Sequence, residues 1–202
     1  MEQVYLFLYF IGIVVELLIR IPYNQETRKI ERVHKQVAGT EPVILLALWL
    51  GIIILPFIWG ATPWLDFANY NWPIAAVNPA GNLGLLFLGL AIGLMWKAHQ
   101  DLGRNWSSTL EILRDHQLVT RGIYGVIRHP MYTSHLVWGI AQMLMVHNWI
   151  AGAASLVTFL LIYFLRIPAE EKMMLEHFGD EYRAYCQRTG RIIPRLRQIL
   201  NP

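Results

Sequence analysis

Charge is scarce in this chain: of its 202 residues only 15% are Asp, Glu, Lys or Arg, against 55% hydrophobic ones. An ordinary soluble domain carries about 25% charged residues, and here the apolar residues gather in long runs, so a soluble globular class is excluded in favour of an integral membrane protein. Cysteine is nearly missing as well. Cys186 stands alone, which excludes an internal disulfide and any metal cluster built from two or four thiolates. No basic residue precedes the first apolar run and no small-residue cleavage site follows it, so that run reads as a retained span and not as a signal peptide.

Five apolar segments are present, residues 4–19, 43–61, 81–96, 130–147 and 149–165, each 16 to 19 residues long. As helices they would reach roughly 24–29 Å, enough to cross a hydrocarbon core of about 30 Å. The fourth ends on His147 and only Asn148 stands before the fifth, a polar break that predicts a tight helical hairpin of antiparallel spans. The expected architecture is one all-α integral membrane domain with five transmembrane helices, three of them within residues 1–97 and the hairpin within 98–202.

Basic residues are absent from the N-terminus, from residues 62–80 and from the hairpin tip. Arg20, Arg28, Lys29, Arg32 and Lys35 lie between the first two spans, and Lys97, Arg104, Arg114, Arg121 and Arg128 between the third and fourth. Arg166, Lys172, Arg183, Arg188, Arg191, Arg195 and Arg197 follow the fifth and complete the seventeen Lys and Arg. The positive-inside rule then places the N-terminus outside and the three basic segments, with the C-terminus, in the cytoplasm. A net charge of +3 reflects loops against an anionic inner leaflet and calls for no nucleic-acid partner. Trp64, Phe67, Tyr70 and Trp72 suit an interfacial aromatic belt on the outer side. Gly89 and Gly93 are spaced as a helix-packing face. Glu16 and Arg20, one turn apart, predict an ion pair at the inner interface, and the alternating charges of residues 26–35 predict a solvated helix or loop.

Polar residues gather at 99–135 and 166–195, and the hairpin returns the second group to the side of the first. Pro130 favours a helix start, which leaves free amides and the positive dipole end near His129. His129 and Tyr132 then share a face, as do Arg166 and Glu170 if the helix runs through Pro168. By spacing alone these could equally be a histidine satisfied by a backbone carbonyl and a local ion pair. His116, His129 and His135 lack a metal-ligand spacing such as HExxH, so no metal is expected.

Five ordered motifs carry a resemblance. Leu118-Val119-Thr120-Arg121-Gly122-Ile123-Tyr124, Arg128-His129-Pro130-Met131-Tyr132, Glu170-Glu171, Phe178-Gly179-Asp180-Glu181-Tyr182 and Arg191-Ile192-Ile193-Pro194 are similar to the isoprenylcysteine carboxyl methyltransferase family. The resemblance begins near Leu102-Gly103-Arg104-Asn105-Trp106 and covers about the last 105 residues. It implies an integral membrane methyltransferase that uses S-adenosylmethionine without a Rossmann fold, and this chain has no GxGxxG motif. It also implies a cytoplasmic cofactor-binding loop followed by a C-terminal helix.

The same resemblance implies cofactor contacts at His116, Leu118, Val119, Tyr124, His129, Tyr132 and Glu170, and a catalytic, substrate-facing guanidinium at Arg166. Two positions depart from the family pattern: Ser134 replaces its usual Gly, and the acidic run is only Glu170-Glu171. The expected reaction is carboxyl O-methylation of a prenylcysteine-like acceptor whose lipid tail lies in the bilayer. A phospholipid amine or small thiol as acceptor, an NADPH-dependent sterol-type reductase, and a non-enzymatic membrane scaffold are the alternatives.

Overall fold

The computed structural model describes residues 2–27, 30, 32–35, 41–70, 72–107, 109–114 and 116–195. Helix α1 (Glu2–Thr27) is followed by strand β1 (Arg32–Lys35) and then by a second span. That span consists of α2 (Glu41–Trp49), a π-turn at Leu50–Ile54 and α3 (Leu55–Ala61). Next come α4 (Ile74–Leu102), strand β2 (Glu111–Leu113), α5 (Pro130–Met145) and α6 (Trp149–Leu161). A second π-turn, Ile162–Arg166, leads into α7 (Ile167–Arg188). Arg28, Lys29 and Arg197, three of the basic residues that oriented the chain, and Glu31 of the charge-alternating segment lie outside the described residues.

Every expected span falls on helix, but among the described residues four helices have the length and apolarity of a span: Gln3–Thr27, Glu41–Ala61, Val77–Asn105 and Trp149–Arg188. The remaining one, α5, has 16 residues, about 24 Å. The helices also outrun the apolar segments. α1 continues through Pro22 to Thr27, and α4 runs from Ile74 through Pro79 to Leu102. Residues 32–35 form neither a helix nor a loop: β1 pairs antiparallel with β2, with an irregularity between Arg32 and His34. Among the described residues the fold is helical with this one small sheet added.

The hairpin is formed as the sequence implies. Asn148 caps α6 by accepting from Ile150 N–H at 3.0 Å and Ala151 N–H at 2.9 Å. Its amide donates to Leu65 O at 2.7 Å, which fastens the tip to the 3₁₀ turn Pro63–Ala68. A Cβ on Gly139 would meet Leu156, and one on Gly152 would meet Val146 O at 2.5 Å and Met143 Cα at 3.5 Å. The two helices therefore run antiparallel in close contact.

α4 buries a stripe of Gly81, Gly84, Leu88, Ala91, Met95 and Ala98, the three-and-four spacing of an amphipathic face. Gly81 abuts the Tyr5 ring and Gly84 abuts Met145. Gly89 and Gly93, expected as the packing face, have open space where a side chain would stand. They sit on the other side of the helix, so that expectation is corrected. Near the middle of the bundle the Tyr9 hydroxyl lies 2.6 Å from Gln142 Oε1 and 2.7 Å from Ile52 O. Gln142 Nε2 donates to Gly51 O at 2.8 Å and to Ala151 O at 2.6 Å. Gly51 and Ile52 lie in the π-turn, and Gln142 and Tyr9 meet their carbonyls where no water would.

Candidate active site

Three local devices bring the motif residues together. Gly122, at φ +60°, opens a 3₁₀ turn directly against Asp101, with no room for a Cβ. Asp101 Oδ2 accepts from Ile123 N–H at 2.7 Å, which holds the Tyr124 loop on the end of α4. Next, Gly190 pairs with Ile127 in a parallel bridge, and His129 N–H donates to Arg191 O at 3.0 Å. Thr133 Oγ1 donates to Ile192 O at 2.7 Å, so the tail motif is a backbone splint beneath His129. Finally, the π-turn at Ile162–Arg166 shifts helical phase just before α7. Arg166 ends it, buried, and Pro168 follows in the first turn of α7, where its missing N–H is harmless.

A single cavity is lined by Arg166, His116, Leu118, Val119, Tyr124, His129, Tyr132 and Glu170 together. Within it Tyr132 OH donates to Glu170 Oε2 at 2.5 Å and accepts from Arg166 Nε at 2.9 Å. Arg166 and Glu170 are thus joined through a tyrosine. His129, 5% exposed, meets two carboxylates and not the backbone carbonyl that spacing allowed: Nδ1 is 3.7 Å from Glu170 Oε1, and Nε2 is 3.2 Å from Glu171 Oε1.

Neighbouring carboxylates do different work here. Glu171 is held by Arg128 at 3.2 Å, by His129 and by a close pair with Arg191. Arg128 in turn donates to Thr189 O at 2.6 Å and Cys186 O at 3.2 Å, satisfying carbonyls at the end of α7. Glu171 is therefore a knot between α5, α7 and the tail, whereas Glu170 lines the cavity.

His116 stands on the loop wall, its ring 5.9 Å from that of Phe178, with Nδ1 buried and without a hydrogen-bond partner. Burial pushes its pKa down to about 4, and nearby His177 acts in the same direction. Burial likewise holds the Tyr124 phenol well above its ordinary range, so both side chains are neutral near pH 7. Tyr185 OH donates to Tyr124 O at 2.7 Å, closing the end of α7 over the loop.

Ser134 does not line this cavity. Its hydroxyl donates to Ala91 O at 2.8 Å, in the α4 contact. Glu16 and Arg20 form the expected pair, at 2.7 Å, but Arg20 also lines the cavity with its Nη2 3.5 Å from His135 Nε2. Sequence reasoning missed Glu41, which stands 3.7 Å from Arg166 Nη1. A lone carboxylate just before an apolar run was the available signal.

Comparison with known proteins points to the same family as the motifs. The model of the isoprenylcysteine carboxyl methyltransferase (ICMT) family matches residues 83–176. Among curated proteins, protein-S-isoprenylcysteine O-methyltransferase B of Arabidopsis thaliana is 34% identical over 115 residues, 56% of this chain and 58% of that protein. The Tribolium castaneum protein-S-isoprenylcysteine O-methyltransferase is 30% identical over 140 residues, 67% of this chain and 50% of the relative. This chain spans about half the length of the curated relatives it matches. A solved structure of a eukaryotic intramembrane Ras methyltransferase, ICMT, aligns with a TM-score of 0.51 and 26% identity. The alignment covers 79% of this chain and 53% of that one. The family resemblance read from the motifs therefore holds, and the family match reaches back into α4 beyond where the motifs begin.

Proposed function

We propose that this chain is a membrane methyltransferase that moves a methyl group from S-adenosylmethionine to the carboxylate of a prenylcysteine-like acceptor. The observation that carries the reading is the line Arg166, Tyr132, Glu170 inside one cavity. It offers a cation for an acceptor carboxylate and an anion for the ammonium of an amino-acid cofactor, side by side. The names of the relatives support the same chemistry.

The residues present fit the cofactor. Leu118, Val119 and Tyr124 form an apolar and aromatic wall suited to a purine, and the unpartnered His116 Nδ1 is a polar group left for a ligand to meet. When bound, S-adenosylmethionine would supply an electrophilic methyl on a sulfonium. Glu170 would hold its ammonium, with His129 and Tyr132 keeping the carboxylate turned toward the cavity. Arg166 would hold the acceptor carboxylate in place. An acceptor that is already an anion needs no general base, so placement and exclusion of water supply most of the rate. The neutral state of His116 suits a contact role and adds no charge to the site.

We read the cavity as opening to the cytoplasm, because the segments that build it carry the basic residues. The acceptor's tail would then lie among the spans while the cofactor arrives from water. We also read residues 1–97 and 98–202 as one membrane domain, since Arg20, Ile44 and Leu48 from the first half share the cavity with the second. The test is transfer of labelled methyl from S-adenosylmethionine by purified protein in detergent, offered an S-prenylated cysteine, a phospholipid amine or a small thiol. Alkali-labile label on the prenylcysteine is expected, since a methyl ester hydrolyses. Alkali-stable label on an amine or thiol, or no transfer with tight dinucleotide binding, would overturn the reading.

A further inference from the structure

We propose that Glu41, at the start of α2, is a positioning residue that sets the plane of the Arg166 guanidinium toward the acceptor. The proposal rests on the reading of Arg166 as the acceptor-binding group. Glu41 is 6% exposed and Arg166 9%. Glu41 Oε1 lies 3.7 Å from Arg166 Nη1 and accepts from Leu110 N–H at 2.9 Å, while Arg166 Nε donates to Tyr132 OH. A guanidinium is a rigid planar fork. Tyr132 on α5 holds the Nε end by a hydrogen bond and the Glu41 charge on α2 attracts the Nη1 end, so the two together bias the plane in which the fork lies.

Glu41 works from behind the site. Arg166, Tyr132 and Leu110 line the cavity and Glu41 does not. The bond to Leu110 N–H would be served by any acceptor, a glutamine included, and among the described residues Arg166 is the cation that meets the negative charge. A buried carboxylate is costly unless paired. Its field also offsets part of the attraction that Arg166 exerts on an incoming anion. Glu41 therefore serves orientation at the expense of acceptor affinity, and the two can be separated by experiment.

Glu41→Gln keeps an oxygen for Leu110 N–H and removes the charge. With a prenylcysteine acceptor, kcat per adenosylhomocysteine-binding site should fall about tenfold to a hundredfold, as expected for a misplaced reactant. The acceptor KM should stay level or fall, and the KM for S-adenosylmethionine should not move. A merely structural lesion would lower the number of binding sites and activity together, and that result, or an unchanged kcat, would overturn the proposal. A second measurement does not depend on turnover. In protein labelled with ¹⁵N-arginine, the Nε–H signal of Arg166, identified by its loss in Arg166→Lys, should shift and exchange faster in Glu41→Gln. If the wild type transfers no methyl to a prenylcysteine, the functional reading fails, and an unmoved Arg166 signal still decides against Glu41.

Discussion

Tyr132 donates its hydroxyl hydrogen to Glu170 at 2.5 Å and spends its lone pair on Arg166, so one side chain supports both charged groups of the site. Tyr132→Phe should raise the Kd for adenosylhomocysteine and the acceptor KM together, each by about tenfold for a lost hydrogen bond to a charged group. Calorimetry and steady-state kinetics on the same preparation check this. Movement of the acceptor KM alone would mean that Glu170 does not depend on Tyr132.

Glu170→Gln and Glu171→Gln should separate binding from folding. The first removes a carboxylate from the cavity wall and should weaken adenosylhomocysteine by about ten- to a hundredfold. The second removes the charge that Arg128 and Arg191 share, in a half-buried knot that ties α5, α7 and the tail together. It should lower the melting temperature in detergent while cofactor affinity holds. Equal losses of affinity would show that the division of labour between the two is wrong.

Arg166→Lys keeps the charge but loses the planar fork that meets a carboxylate with two bonds. Turnover on a carboxylate acceptor should slow at near-normal adenosylhomocysteine affinity. An amine or thiol acceptor has no such partner and should be methylated at nearly the wild-type rate.

His116 gives a pH signature. Its pKa is about 4 in the folded protein against an ordinary 6.5, so between those values the unfolded chain binds more protons. Stability linked to this group is complete above about pH 6.5 and is lost as pH falls toward 4. Melting temperatures from pH 7 to pH 4.5 should therefore fall less steeply in His116→Gln than in the wild type. Parallel curves would place His116 in water.

Helix packing offers a structural control. A Cβ on Gly152 would lie 2.5 Å from Val146 O, whereas one on Gly93 meets open space. Gly152→Ala should lower stability by about 1–3 kcal/mol, as for overpacking, and Gly93→Ala should be neutral or better in thermal unfolding.

Much of this was legible along the chain. Spans appear as apolar runs because the bilayer imposes their length, and the hairpin appears because two polar residues leave room for nothing but a turn. The motif residues were legible as candidates, and the structure sets all eight in one cavity. Other features left no trace in periodicity. Gly89 and Gly93 have the right spacing for a packing face, but spacing does not say which side of α4 meets a neighbour. The pairing of β1 with β2 joins segments separated by two spans, so neither strand shows a pattern of its own.

What the sequence by itself determined is the membrane class, the segregation of basic residues and the candidate chemistry, since hydropathy, charge and motif are properties of a residue and its near neighbours. Only the tertiary structure decided which polar groups share a partner. Glu170 and Glu171 are adjacent and chemically identical, yet one faces a cavity and the other an arginine knot, because a helix turns successive residues by about 100°. Glu41 reaches Arg166 from another span, a contact made by packing of helices far apart in sequence.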